Sequence, residues 1–157
     1  MNRQLFTTSI GIPYSAAGFT EKDEALSALA PVAGFVDAWN RHDMNALAEL
    51  YTADAEFVNV IGMWWHGRDE IRAQHALLHQ GRMKQTTLSQ EAPMVKLLSQ
   101  SVAMAHARWE LRGDAGAPGW EIGEVRRGML IHVLIREAGV WKITATQNTD
   151  IVEIPNN

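Results

Sequence analysis

The sequence predicts an α+β fold in which N-terminal helices pack in the concave face of a strongly curved, mostly antiparallel sheet, leaving an internal pocket. Three observations carry that expectation. Apolar residues recur at intervals of three and four up to about residue 80, and the period changes to alternation from about residue 84. Helices first and consecutive strands afterwards define the α+β class, with the helices covering one face of a bent sheet. A chain of 157 residues is also long enough to bury one core without disulfide or metal staples.

The elements follow in order. The first 20 residues place Thr7, Thr8, Ser9, Gly11 and Pro13 among apolar residues and read as a flexible extension, so the folded domain is expected over residues 21–157. Thr20 or Asp23 caps a helix that reaches about Asn40, with Leu26, Leu29, Val32, Val36 and Trp39 on its apolar side. Pro31 falls inside that pattern and predicts a kink or a later true start. Asp43 caps a short helix over residues 44–51, Thr52, Ala53 and Asp54 make a turn, and residues 55–60 form a strand. A second long helix starts at about Arg68, where Asp69 and Glu70 complement its N-terminus, and ends before Gly81.

Residues 84–98, 101–112, 120–136 and 140–151 read as four strands, with turns at Ser99-Gln100, 113–119 and 137–139. On the last strand Trp141, Ile143 and Ala145 alternate with Lys142, Thr144 and Thr146. So apolar a face calls for a cover, and the expected partner is a second copy of the chain in a homodimer through the convex face of the sheet.

Composition narrows the function. The absence of cysteine excludes disulfides, thiolate nucleophiles and cysteine-based metal sites, and fits a cytoplasmic location. A formal charge of -4 repels phosphate backbones, so no nucleic-acid partner is expected. No apolar run approaches the ~20 residues that a membrane helix needs. His75 and His79 stand four apart on a helix, a spacing that can grip a metal, yet Ala76 replaces the glutamate of the zinc-protease pattern and no third ligand is evident. With no glycine-rich phosphate loop and no nucleophile elbow either, neither a metal nor a cofactor is expected.

The strand over residues 101–112 carries the strongest polar pattern. One face reads Val102, Met104, His106, Arg108, Glu110 and the other Ala103, Ala105, Ala107, Trp109, Leu111. The first face either meets solvent, as an exposed ion pair, or lines a polar cavity. Turned inward, Arg108 and Glu110 would stand about 7 Å apart at Cα, close enough for the guanidinium to orient the carboxylate.

The pieces WNRHD, LYTADAEFV, HGRDEI, ARWELRG and GVWKITATQNT, spread over residues 24–152, resemble the nuclear transport factor 2-like superfamily. It includes ketosteroid isomerases, SnoaL-like polyketide cyclases, scytalone dehydratase, limonene epoxide hydrolase and members without any chemistry. The last two pieces look most like its SgcJ/EcaC-type branch. The resemblance implies a cone with an internal pocket. At the positions of the ketosteroid isomerase tyrosine and aspartate this chain has Phe35 and Asn59, which cannot supply an oxyanion donor and a base, so ketosteroid isomerisation is not expected.

The same segment resembles limonene epoxide hydrolase, which implies that Asn59 holds a water or substrate, that Phe57 replaces a tyrosine, and that Arg108 and Glu110 match an Arg-x-Asp pair. Asn148 stands where the second acid would be. The resemblance thus favours the cavity for this pair and makes Glu110 the general acid or base, Arg108 its orienting partner and Asn59 a third catalytic residue. Trp39, Phe57, Trp64, Trp65, His75, His132 and Asn148 would contact a small apolar molecule of polyketide or terpenoid type. Cofactor-free acid/base catalysis is the leading expectation, and non-catalytic small-molecule binding or a dimer scaffold is the alternative.

Overall fold

The computed structural model describes residues 21–118 and 124–152. The expected extension over residues 1–20 and the first residues of the third long strand lie outside them. Pro31 divides the expected first helix into α1 (Glu21–Ala28) and α2 (Ala30–Asn40). Proline has no N–H to donate and sits comfortably only in a first turn, so the helix restarts with Leu29 as its cap residue. Helix α2 then buries Val32, Phe35 and Trp39 along one side. In α3 (Met44–Glu49) the Asp43 carboxylate accepts the Ala46 N–H at 2.9 Å, satisfying one of the orphan donors of the first turn. Helix α4 (Arg68–Gln80) starts after Gly67 and presents Ile71, His75 and His79, each four apart, to the interior.

Among the described residues the sheet has seven strands: β1 (Tyr51–Val58), β2 (Trp64–His66), β3 (Thr87–Gln90), β4 (Met94–Leu97), β5 (Val102–Arg112), β6 (Val125–Glu137) and β7 (Val140–Asp150). Their order is β2-β1-β7-β6-β5-β3, with β4 also on β5 beyond β3. Among the described residues only β1 and β7 run parallel, and every other pair is antiparallel. The expected α+β arrangement is therefore present, with helices against one face of the sheet.

Three local differences from the sequence reading have physical causes. Thr52-Ala53-Asp54 is not a turn. The strand already begins at Tyr51, which pairs with Ile143, while Glu56 pairs with Ala145, so the intervening residues bulge and leave Ala53 and Asp54 in solvent. The expected strand over residues 84–98 splits into β3 and β4 around Pro93, which cannot donate to a ladder. Short β2, unforeseen, turns back on β1.

A further difference alters the surface argument. Val133 pairs with Ala145 and Leu134 with Ile143, so Thr144 is an extra residue and the alternation of β7 changes phase there. Trp141 and Ile143 point inward before the bulge, and Thr146 and Asn148 point inward after it. The supposed apolar face is thus not continuous. Trp141 and Ile143 are buried in this chain's own core, where β7 meets α1 and α2.

Candidate functional site

A cavity of about 390 Å³ opens between α2, α4, the β1–β2 turn and the concave side of the sheet. Its inner wall is aromatic: Phe35 and Trp39 from α2, Phe57 from β1 and Trp65 from β2. Phe57 and Trp65 stack at 5.2 Å between ring centroids because they are register partners on neighbouring strands. Leu130 supplies the sheet floor.

His75 stands in the middle of these rings. Its centroid lies 4.9 Å from Phe57, 5.1 Å from Trp65, 6.1 Å from Trp39 and 6.3 Å from Phe35, and the residue is 2% exposed. The Nδ1 atom is 2.8 Å from the Ile71 carbonyl oxygen, one turn earlier on α4. A carbonyl can only accept, so Nδ1 carries the hydrogen and Nε2 carries the lone pair. Burial pushes the pKa of His75 down to about 4, partly offset by that carbonyl. At neutral pH the cavity therefore holds an uncharged imidazole with a fixed tautomer.

A second polar group has an equally determined orientation. The indole N–H of Trp109 donates to Asn148 Oδ1 at 2.8 Å. Because that N–H cannot accept, the Asn148 oxygen is committed to Trp109 and the amide NH₂ remains as a donor group in the cavity lining. Trp109 is on β5 and Asn148 on β7, with β6 between them. The indole crosses β6 at its register partner Gly128, where a Cβ would sit 2.1 Å from the indole Cζ2. Any larger residue there would displace the ring.

Below the indole lies a compact ion network. Arg126 places its guanidinium carbon 5.7 Å from the Trp109 ring centroid. It donates to Asp114 at 2.7 Å and to both oxygens of Asp150 at 2.8 and 3.0 Å. Arg82, just after α4, donates to Asp114 through Nε and, at 2.7 Å, through Nη2. Burial alone would raise the Asp114 pKa, but hydrogen bonds from Arg82, the Gly116 N–H and Arg126 outweigh it and hold the carboxyl below its usual range. Arg82 and Arg126 both line the cavity, each with an aspartate against it.

The structure brings together Asn59, Trp39, Phe57, Trp65, His75 and Asn148 of the residues expected at the site. It does not bring in Arg108 and Glu110. Trp109 takes the inward position on β5, and alternation then turns both neighbours to the opposite face. There Glu110 pairs with Arg127 at 3.0 Å and Arg112 at 3.7 Å, and Arg108 is exposed. Arg108 and Glu110 therefore lie outside this cavity, on the solvent side of the strand, and Glu110 takes Arg127 and Arg112 as its partners instead of Arg108.

Trp64 is also outside the cavity: it is 58% exposed and donates to Glu56 beside His66. His132 is fully buried beneath the cavity wall rather than lining it, bonded to Thr146 at 2.9 Å and packed 5.7 Å from Phe35. Asn59 lines the opening, but its side-chain oxygen accepts the N–H groups of Ile61 and Met63, so it shapes the turn. Sequence reasoning missed Trp109, Arg126, Arg82 and Asp114. Trp109 and Arg126 had a signal, since each shares the inward phase of its strand with apolar residues. The Asp114 pairings join residues 32 and 12 apart and had none. Among the described residues no group of three or more His, Asp or Glu side chains is placed to hold a metal ion, and no described helix is long and apolar enough to cross a membrane.

An aromatic pocket between helices and the sheet they pack against defines a cone-shaped α+β pocket protein. The chain belongs to the SnoaL-like domain family, which it matches over residues 32–144. It is similar to a cystatin-like-fold protein from Caulobacter vibrioides, at 23% identity and a TM-score of 0.76, covering 82% of this chain and 91% of that one. A cystatin-like-fold domain from Nostoc punctiforme is 24% identical at a TM-score of 0.73, covering 87% and 82%. A ketosteroid isomerase-like protein from Erwinia carotovora atroseptica is 17% identical at 0.67, covering 83% and 98%. At these identities the likeness defines the fold. No curated protein matches the sequence.

The buried histidines predict an acid-labile fold. His75, His79 and His132 all have pKa values lowered to about 4, with burial the largest cause in each. The unfolded chain binds their protons near pH 6.5, so their contribution is complete above that pH and is lost as pH falls toward about 4. For the two fully buried rings, His75 and His132, the slope should approach about 2–3 kcal/mol per pH unit. Denaturant titrations across this range should show it, and His132→Asn should flatten it; a pH-independent midpoint would refute the assignment.

Proposed function

We propose that this chain is a small-molecule pocket protein whose cavity takes a largely apolar, polyketide- or terpenoid-like molecule bearing a hydroxyl group, seated at His75. The proton-free Nε2 of an imidazole otherwise enclosed by aromatic rings carries this reading. A ligand hydroxyl donating to it would add a hydrogen bond worth ~0.5–1.5 kcal/mol net. The aromatic wall supplies the apolar contact area that such pockets use for affinity. The resemblance of GVWKITATQNT to the SgcJ/EcaC-type branch supports the polyketide class. Titration calorimetry should show that the wild type prefers 4-ethylphenol to ethylbenzene by about tenfold, a preference that collapses in His75→Phe. An unchanged preference in that variant would remove His75 from the site.

A second reading, cofactor-free proton transfer, is favoured by one observation: the fixed acceptor of His75 shares the cavity with the fixed amide donor of Asn148. His75 would take a proton from the substrate, and Asn148 would donate a hydrogen bond to an oxygen gaining charge. Because His75 is uncharged well below neutrality, turnover of a substrate of this class should be flat from about pH 6 to pH 8. A rate that rises steeply through about pH 6.5 would assign the base to another group.

The homodimer is proposed on new grounds. Met129, Ile131, Val133 and Ile135 of β6 point away from the helices, as the buried phase Gly128, Leu130, His132 and Leu134 requires, and form an apolar stripe on the outer sheet face. A second copy packed on that stripe would cover it by a two-fold contact. Ile131→Arg should halve the sedimenting mass without unfolding the chain; a wild type that sediments as a monomer at micromolar concentration would overturn the proposal.

A further inference from the structure

The cavity opens through a lip that is apolar on the outside as well as the inside. Ile61 and Met63, on the turn between β1 and β2, are 58% and 46% exposed, and Leu77 of α4 is 64% exposed. All three line the cavity. Single exposed apolar residues are ordinary on a soluble chain. Three of them around one opening form an extension of the pocket itself.

The lip is also held in place. Asn59 Oδ1 accepts the N–H of Ile61 at 3.1 Å and of Met63 at 2.9 Å, while the Asn59 N–H donates to the Met63 carbonyl at 3.0 Å. Gly62 takes the tip of the turn with φ of 80°, a left-handed conformation that glycine adopts without strain. Leu77 is fixed by its place in α4. Ile61 and Met63 are therefore kept at the rim by the same asparagine that the sequence marked for catalysis. Further inside, the guanidiniums of Arg82 and Arg126 are matched by Asp114 and Asp150, so the lining makes no demand for a charged ligand.

We infer that the ligand is an elongated, uncharged molecule with its hydroxyl at His75 and an apolar tail that leaves through the opening across Ile61, Met63 and Leu77. The inference rests on the pocket reading of His75 and adds the ligand's length, polarity and direction. The tail, and no other partner, covers the lip. Burial of each methylene against it adds affinity in the way that any apolar transfer does.

The test is calorimetric titration of a 4-n-alkylphenol series, ethyl, butyl, hexyl and octyl, into the wild type and into Ile61→Ser/Met63→Ser/Leu77→Ser. In the wild type, affinity should rise about fourfold per methylene through the octyl compound. In the variant it should rise over the first members and then level off, so that the gap widens with chain length; Leu77→Ser alone should show a smaller gap in the same direction. Parallel slopes in the two proteins would overturn the inference while a His75-dependent preference for the ethyl compound left the pocket reading standing. Failure of every member to bind would overturn both. Binding of wild type but not variant to phosphatidylcholine vesicles, with parallel phenol slopes, would reassign the lip to a lipid surface.

Discussion

Trp109 reaches across the full width of β6 to bond with Asn148, and the β-side of the cavity is arranged around that reach. The indole needs space over the middle strand, which Gly128 provides by having no side chain. It needs a base to rest on, which Arg126 provides while tied to Asp114 and Asp150. Strand periodicity does the rest. Once Trp109 faces inward, so do Ala107 and Leu111, and Arg108 and Glu110 must face out. Burying one large aromatic surface with its N–H satisfied is favourable, whereas a carboxylate in its place would enter an apolar chamber at a desolvation cost of several kcal/mol.

The electrostatic character of the cavity follows from the same choice. The lining holds two guanidiniums held by aspartates and an imidazole that burial keeps neutral. Such a chamber offers orientation through fixed hydrogen bonds rather than through net charge. Proton transfer to His75 would place a cation among Phe35, Trp39, Phe57 and Trp65, where the Ile71 carbonyl offsets only part of the lost hydration. Binding makes no such demand. The balance of these terms is why the pocket reading stands first and proton transfer second.

The sequence made the architecture legible because its periods are clear: three-and-four spacing around Val32, Val36 and Trp39, and alternation from Ala103 to Leu111. The cavity wall was legible too, since Trp39, Phe57, Trp65 and His75 are bulky residues at inward phases. Alternation alone could not say which face of β5 turns in. The short match to an Arg-x-Asp pattern pointed to the wrong one, while Trp109, between the two charged residues, marked the right one. The phase change in β7 was hidden for a different reason. A bulge at Thr144 depends on how β6 and β7 pair, and Trp141 to Thr146 read alone show an uninterrupted pattern. Asp114 was illegible because its partners are set by tertiary contacts between distant segments.

The three low-pKa histidines show why geometry, rather than titration, singles out the site. His132 is desolvated as fully as His75, and His79 is lowered by burial together with the neighbouring His42 and His75 rings, yet the Nε2 atoms of His79 and His132 are enclosed and without a partner among the described residues. The Nδ1 of His79 meets His42 Nδ1 at 2.7 Å, a contact in which only one ring can supply the hydrogen, and that of His132 meets Thr146, which also contacts Tyr51 at 3.0 Å. Both rings therefore join parts of the core: His79 ties α4 to the turn after α2, and His132 ties β6 through β7 to β1. His75 anchors its Nδ1 within its own helix instead, which leaves the far side of the ring without a structural task. Of these three rings only His75 lines the cavity, so it is the one a ligand there can reach.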